Sequence, residues 1–131
     1  MNRPWRIPLL VLFLVTVAAL LVAQEVRLER AVVCTRMENG EPVGAAEAFP
    51  ADVGTLICFT KLANVGEGTT VVHVWRYGES QMARITLPVS PSDDRTWSFK
   101  RVSSAWTGAW RVVIEDANGR VLGEARFTLG K

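Results

Sequence analysis

Histidine occurs once in the 131 residues, tyrosine once and cysteine twice, and these shortages close off most chemistry before any motif is sought. A structural or catalytic metal centre needs three or four ligands at characteristic spacing, and no second ligand pair accompanies Cys34 and Cys58. A nucleophilic triad needs a group to orient its histidine, and no acidic residue neighbours His73 along the chain. No glycine-rich phosphate loop is present. The acidic pairs Asp93-Asp94 and Glu115-Asp116 lie beside turns. Adjacent carboxylates in extended chain point to opposite faces, so neither pair forms the facing acids of a glycosidase. The reading is a non-enzyme that uses no cofactor and no metal.

Charge of one sign is also missing once the N-terminus is set apart. Arg3 and Arg6 precede an apolar run from Ile7 to Ala23, broken only by Pro8 and Thr16. A basic flank before an apolar stretch is the layout of a signal peptide or of a signal-anchor helix, here residues 1–23, with a domain over 24–131. A cut after Ala23 would place Leu21 where signal peptidase wants a small residue, which favours a retained anchor holding the membrane through residues 7–23. The domain then sits outside the cytoplasm, anchored to the inner membrane, or free in the periplasm if the segment is removed. Arg3 and Arg6 are the only charges in residues 1–23, so the rest carries 13 of each sign. A domain without a basic excess argues against nucleic acid as a partner. Two cysteines in an exported domain make Cys34–Cys58 a disulfide candidate, a cross-link worth roughly 3 kcal/mol on the loop-entropy model.

Helical periodicity is absent after residue 23. Short alternating runs recur instead, among them Ala31–Met37, Thr55–Leu62, Thr69–Tyr77, Met82–Val89, Arg95–Ser103, Ala109–Glu115 and the return from Val121, separated by Asn39-Gly40, Gly66-Glu67-Gly68, Pro91-Ser92 and Asn118-Gly119. About seven strands with turn signals between them suggest an all-β, immunoglobulin-like antiparallel β-sandwich, preceded by an N-terminal hydrophobic helix. LICFTKL is apolar on both faces, as suits a central strand covered on each side. Phe49 is expected to plug a core edge from a loop.

TTVVHVWRYG, residues 69–78, holds the only histidine and the only tyrosine. His73, Trp75 and Tyr77 share one strand face, Val72, Val74 and Arg76 the other. An outward aromatic row would be a binding surface. The inward arrangement carries more apolar area into the core and obliges His73 to find a hydrogen-bond partner. Trp97 and Phe99 share a face with Arg95 and Arg101 and are expected in the core, as is Trp110. Trp106 falls outside any periodic pattern and is expected at the surface. The candidate binding residues are His73, Trp75, Arg95, Trp97, Ser98 and Trp106, and the partner is an envelope protein or glycan. A purely structural module and a hydrolase using His73 are the competing readings.

The ordered blocks around these residues resemble a known family. The Cys34 strand, Glu41-Pro42 with Phe49, CFTKL at 58–62, HVWRYG at 73–78, RTWS at 95–98 and GAWRVVIEDANGRVLGEARF at 108–127 are similar to the bacterial domain of unknown function 2914, over about residues 26–129. The resemblance implies signature positions at His73, Trp75, Arg95, Thr96, Trp97 and Ser98. It also implies a membrane-associated protein, often behind a transmembrane segment, and it implies no reaction. Phe99 after Ser98 departs from the pattern, where a second small polar residue is expected.

Overall fold

The computed structural model describes residues 25–130. The segment read as a signal or anchor helix, residues 1–23, lies outside the described residues. The elements are β1 (Arg27–Cys34), β2 (Arg36–Glu38), β3 (Glu41–Val43), β4 (Ala48–Phe49), β5 (Thr55–Ala63), β6 (Thr70–Tyr77), β7 (Ser80–Pro88), β8 (Arg95–Arg101), β9 (Gly108–Asp116) and β10 (Val121–Leu129). They form a three-stranded sheet in the order β1-β5-β8 and a five-stranded sheet in the order β4-β10-β9-β6-β7, with β2 and β3 as a separate hairpin. All pairings are antiparallel except that of β4 with β10. The expected all-β immunoglobulin-like sandwich is the observed architecture; its seven long strands are β1 and β5 to β10.

Alternation decides what lies between the sheets. Val33, Leu56, Cys58 and Leu62 from one sheet meet Val71, Trp75, Trp110, Val112, Ile114, Phe127 and Leu129 from the other. Phe49 closes this core as expected, its ring edge-on to Phe127 at 5.8 Å. On the far side of the five-stranded sheet, Val72 and Val74 are buried too. Arg84 of β7 and Glu115 of β9, joined at 2.8 Å, reach towards each other over β6 and cover them. Val121 is exposed, because the β9–β10 register shifts between Val121 and Gly123 and turns the strand's first residue out.

The three-stranded sheet has a roof of its own on its outer face. Asn39 and Gly40 both take positive φ, 52° and 75°, the two-residue turn that matches strand twist and lets β2 fold tightly onto β3. The hairpin explains why LICFTKL is apolar on both faces. Leu56 and Cys58 enter the main core, and Ile57 and Phe59 are buried on the opposite side. Thr35 interrupts the run read as one strand over Ala31–Met37, so β1 ends at Cys34 and the chain turns into β2.

The expected disulfide does not form; both cysteines are free and buried. Cys34 stands opposite Ile57 and Cys58 opposite Val33, so neighbouring registers send the two side chains to opposite faces of the same sheet. Cys58 points into the core, whereas Cys34 lies on the outer side with its Sγ 3.9 Å from Met37 Sδ. Proximity in the sheet is therefore no route to a bridge. Burial pushes both thiols up from their ordinary pKa, which keeps them protonated and unreactive. Reducing agent should leave the melting temperature unchanged, and a thiol reagent should modify Cys34 and Cys58 only once the domain unfolds. A reductant-dependent loss of stability would contradict the free-thiol structure.

Candidate binding surface

The six residues singled out in the sequence divide among three places. His73, Trp75 and Ser98 lie inside the sandwich, with exposures of 0%, 0% and 3%. Arg95 and Trp97 lie on the outer face of β8. Trp106 lies at one end of the sandwich, in the β8–β9 loop.

The interior group is a chain of hydrogen bonds that ties one sheet to the other. Trp75 Nε1–H donates to Ser98 Oγ at 3.0 Å, and Ser98 Oγ lies 2.7 Å from His73 Nδ1. His73 Nε2 lies 3.1 Å from Thr60 Oγ1, which donates to the Thr96 carbonyl at 2.9 Å. A carbonyl only accepts, so the Thr60 hydrogen is committed to Thr96 and Thr60 must accept from His73 Nε2–H. His73 Nδ1 is then bare and accepts the Ser98 hydroxyl hydrogen, while Ser98 accepts from the indole. Every hydrogen has one place, and the imidazole has one tautomer. A second proton on His73 would take the acceptor from Ser98 and bury a charge. Burial accordingly lowers the His73 pKa from 6.5 to about 4.

This network corrects the expected orientation of β8. Trp97 and Phe99 were expected in the core and Ser98 on the other side, yet Thr96 and Ser98 face inward and Trp97 and Phe99 outward. Two buried hydroxyl positions are needed to satisfy one buried imidazole and one indole N–H, and Thr60 and Ser98 supply them. Thr60 escaped notice in the sequence. Its signal is a hydroxyl at the core-facing phase of an otherwise apolar strand, in a chain whose only histidine also sits on a strand.

Outside, β8 presents Arg95, Trp97, Phe99 and Arg101 in a row. Phe99 is 59% exposed, one of two large apolar side chains so exposed among the described residues. Trp97 stacks on the buried Phe59 at 6.4 Å and 25°, and the Arg30 guanidinium lies 5.6 Å from the same Phe59 ring. Glu41, beside the turn of the β2–β3 hairpin, pairs with both Arg30 and Arg95, and Arg95 also donates to the Gly40 carbonyl at 3.1 Å. The hairpin thus clamps the start of β8 and leaves the Phe99 end open.

At that open end a concavity of about 410 Å³ is lined by Gly54, Thr55, Lys100, Arg101, Val102, Ser103 and Trp106. Trp106, expected at the surface, is half-buried; it stacks obliquely on Trp110 at 6.2 Å and accepts the Trp110 indole hydrogen on its carbonyl at 2.9 Å. Tyr77 holds the same loop by donating to the Thr107 carbonyl at 2.7 Å. The Lys100 ammonium stands 5.6 Å from the Trp106 ring centre. A pinned indole beside two cations can hold an apolar ring face and an anionic group together.

Because His73 stays neutral in the fold and charges in the unfolded chain, its contribution to stability is whole above pH 6.5 and is lost as the pH falls to about 4. Comparing His73→Gln with the unsubstituted protein in urea should show their stability gap narrowing by about 3 kcal/mol over that window. A gap that stays constant would mean His73 is not held neutral. His73→Ala should cost about 3 kcal/mol or more at neutral pH, since it opens a cavity and strands Ser98 and Thr60.

Comparison with known proteins adds a likeness of fold and a family pattern over part of the chain. An immunoglobulin-like protein from Pseudomonas aeruginosa, known from its crystal structure, superposes with a TM-score of 0.59 at 16% identity, over 82% of this chain and 98% of that one. No curated protein matches. The family model described as "Protein of unknown function (DUF2914)" matches residues 68–129, which span β6 to β10 and include His73, Trp75, Arg95, Thr96, Trp97 and Ser98. The Cys34 strand, Glu41-Pro42 and CFTKL fall outside the matched residues. The resemblance read from HVWRYG, RTWS and GAWRVVIEDANGRVLGEARF therefore holds over residues 68–129, where the chain carries the pattern of the DUF2914 family.

Proposed function

We propose that this immunoglobulin-like domain is a non-catalytic binding module of the bacterial cell envelope that recognises a protein partner through the outward surface of β8. The observation that carries the reading is Phe99, 59% exposed beside Trp97 on an edge strand. Isolated exposed apolar residues are ordinary, but two aromatics on one face of a strand, framed by arginines, have the composition of an interface centre. A hydrolase built on His73 is disfavoured, since both ring nitrogens are engaged inside the core and the side chain has no exposed surface. The apolar run from Ile7 to Ala23 behind Arg3 and Arg6 supports an exported, membrane-held domain. With Phe99 replaced by a photo-reactive phenylalanine analogue in the full chain, irradiation of cells should give specific adducts. The same analogue at Thr86, exposed on β7, should give none, and equal labelling at both positions would sink the proposal.

A glycan reading is favoured by one separate observation, the concavity where Trp106, Lys100 and Arg101 converge. Titration with soluble peptidoglycan fragments should then shift the tryptophan emission, and Arg101→Ala should abolish the shift. A flat titration across the fragments removes that reading and leaves the β8 surface untouched.

A further inference from the structure

Four strands end the two sheets: β1 and β8 in one, β4 and β7 in the other. An edge strand offers unpaired backbone groups to any passing chain, and folded proteins blunt it with bulges, prolines, charges or brevity. β4 has two residues. β1 carries a register shift between Leu28 and Arg30. β7 ends on Pro88, and its pairing with β6 shifts between Trp75 and Arg76. β8 pairs with β5 in unbroken register from Arg95 to Arg101, contains no proline, and has no charge in its central Trp97-Ser98-Phe99.

Hydrogen bonds at both ends of this pair fix which backbone groups point outward. Leu62 N–H donates to the Asp94 carbonyl at 2.9 Å, and Val102 N–H to that of Gly54 at 2.8 Å. Hydrogen-bonded positions recur at every second residue of an antiparallel pair. Thr96, Ser98 and Lys100 therefore turn their backbone groups towards β5, and Arg95, Trp97, Phe99 and Arg101 turn theirs away. The Arg101 carbonyl accepts from Lys100 Nζ at 3.0 Å; the amides of Trp97 and Phe99 have no partner among the described residues. The free amides and the exposed rings belong to the same residues.

We infer that β8 accepts an additional strand, an acidic extended segment of a partner protein with apolar residues at every second position, paired to the backbone of Trp97 and Phe99. The inference rests on the reading of β8 as the binding surface and adds how the partner is held. Its apolar residues lie against Trp97 and Phe99, and its carboxylates, on the alternate face, meet Lys100, which no ion pair engages among the described residues. A second copy fits less well. Antiparallel pairing that uses Arg95 through Arg101 of both copies centres on Ser98 and sets Arg95 against Arg101 at each end, and like charges placed opposite are destabilising.

Amide exchange in the full chain, held in detergent micelles and followed by NMR, reads this directly. A synthetic peptide alternating glutamate and valine, at about 1 mM, should slow exchange at Trp97, Phe99 and Arg101 by about tenfold or more. Its fully N-methylated counterpart and its lysine counterpart should not. No slowing by the acidic peptide, while the photo-adduct at position 99 still forms, overturns strand addition and keeps the binding surface. Equal slowing by the N-methylated peptide overturns it too, because side chains alone would then account for the contact. Protection without peptide that grows with protein concentration assigns the edge to a second copy and likewise overturns it.

Discussion

Five groups joined in one direction, from the Trp75 indole through Ser98, His73 and Thr60 to the Thr96 carbonyl, hold the two sheets in a fixed relation. Apolar contacts between sheets specify register less strictly, since a core can repack at conserved volume for a modest cost. A buried hydrogen-bond chain is stricter, because each member left without a partner carries the full cost of its desolvation. The network therefore selects one register of β6 over β5 and β8. It also selects the face of β8, because Ser98 can reach His73 only when the strand turns its hydroxyls inward.

The remaining arrangement of β8 follows from that choice. With Thr96 and Ser98 inside, strand alternation sends Arg95, Trp97, Phe99 and Arg101 outward whatever their own preference. Two of the four are aromatic, and the chain covers only part of them. Phe59 receives Trp97 from below, and Glu41 ties Arg95 to the hairpin. Phe99 is left bare. A surface rich in rings thus arises beside a core that contains hydroxyls, and both come from the same seven residues.

Much of this was legible beforehand. The strands, the turn at Asn39-Gly40 and the inward row of His73 and Trp75 follow from alternation and from the residue types that tolerate positive φ. The two-sided apolar character of LICFTKL anticipated a cover on both sides. Three things were not legible, for one common reason. The face of β8, the separation of Cys34 from Cys58 and the outward turn of Val121 depend on pairing register, which a single strand's pattern does not encode. Hydrophobicity favoured Trp97 and Phe99 for the core, and it lost to the hydrogen-bonding needs of His73, which lies 25 positions before Ser98 in the chain. The role of Thr60 was hidden for the same reason, because a lone threonine in a strand has meaning only beside its partner.

On the five-stranded sheet, charges answer one another at close range: Arg84 with Glu115, Arg111 with Glu79 and Glu124, Arg120 with Asp116 and Glu25. These pairs offset one another at close range, and Arg76 of β6 is left on that sheet outside any ion pair among the described residues. Lys100 and Arg101 have no such answer at the opposite edge. At moderate salt, where a charge is felt over about 10 Å, the acidic segment inferred for β8 would be drawn towards these two cations before any contact is made.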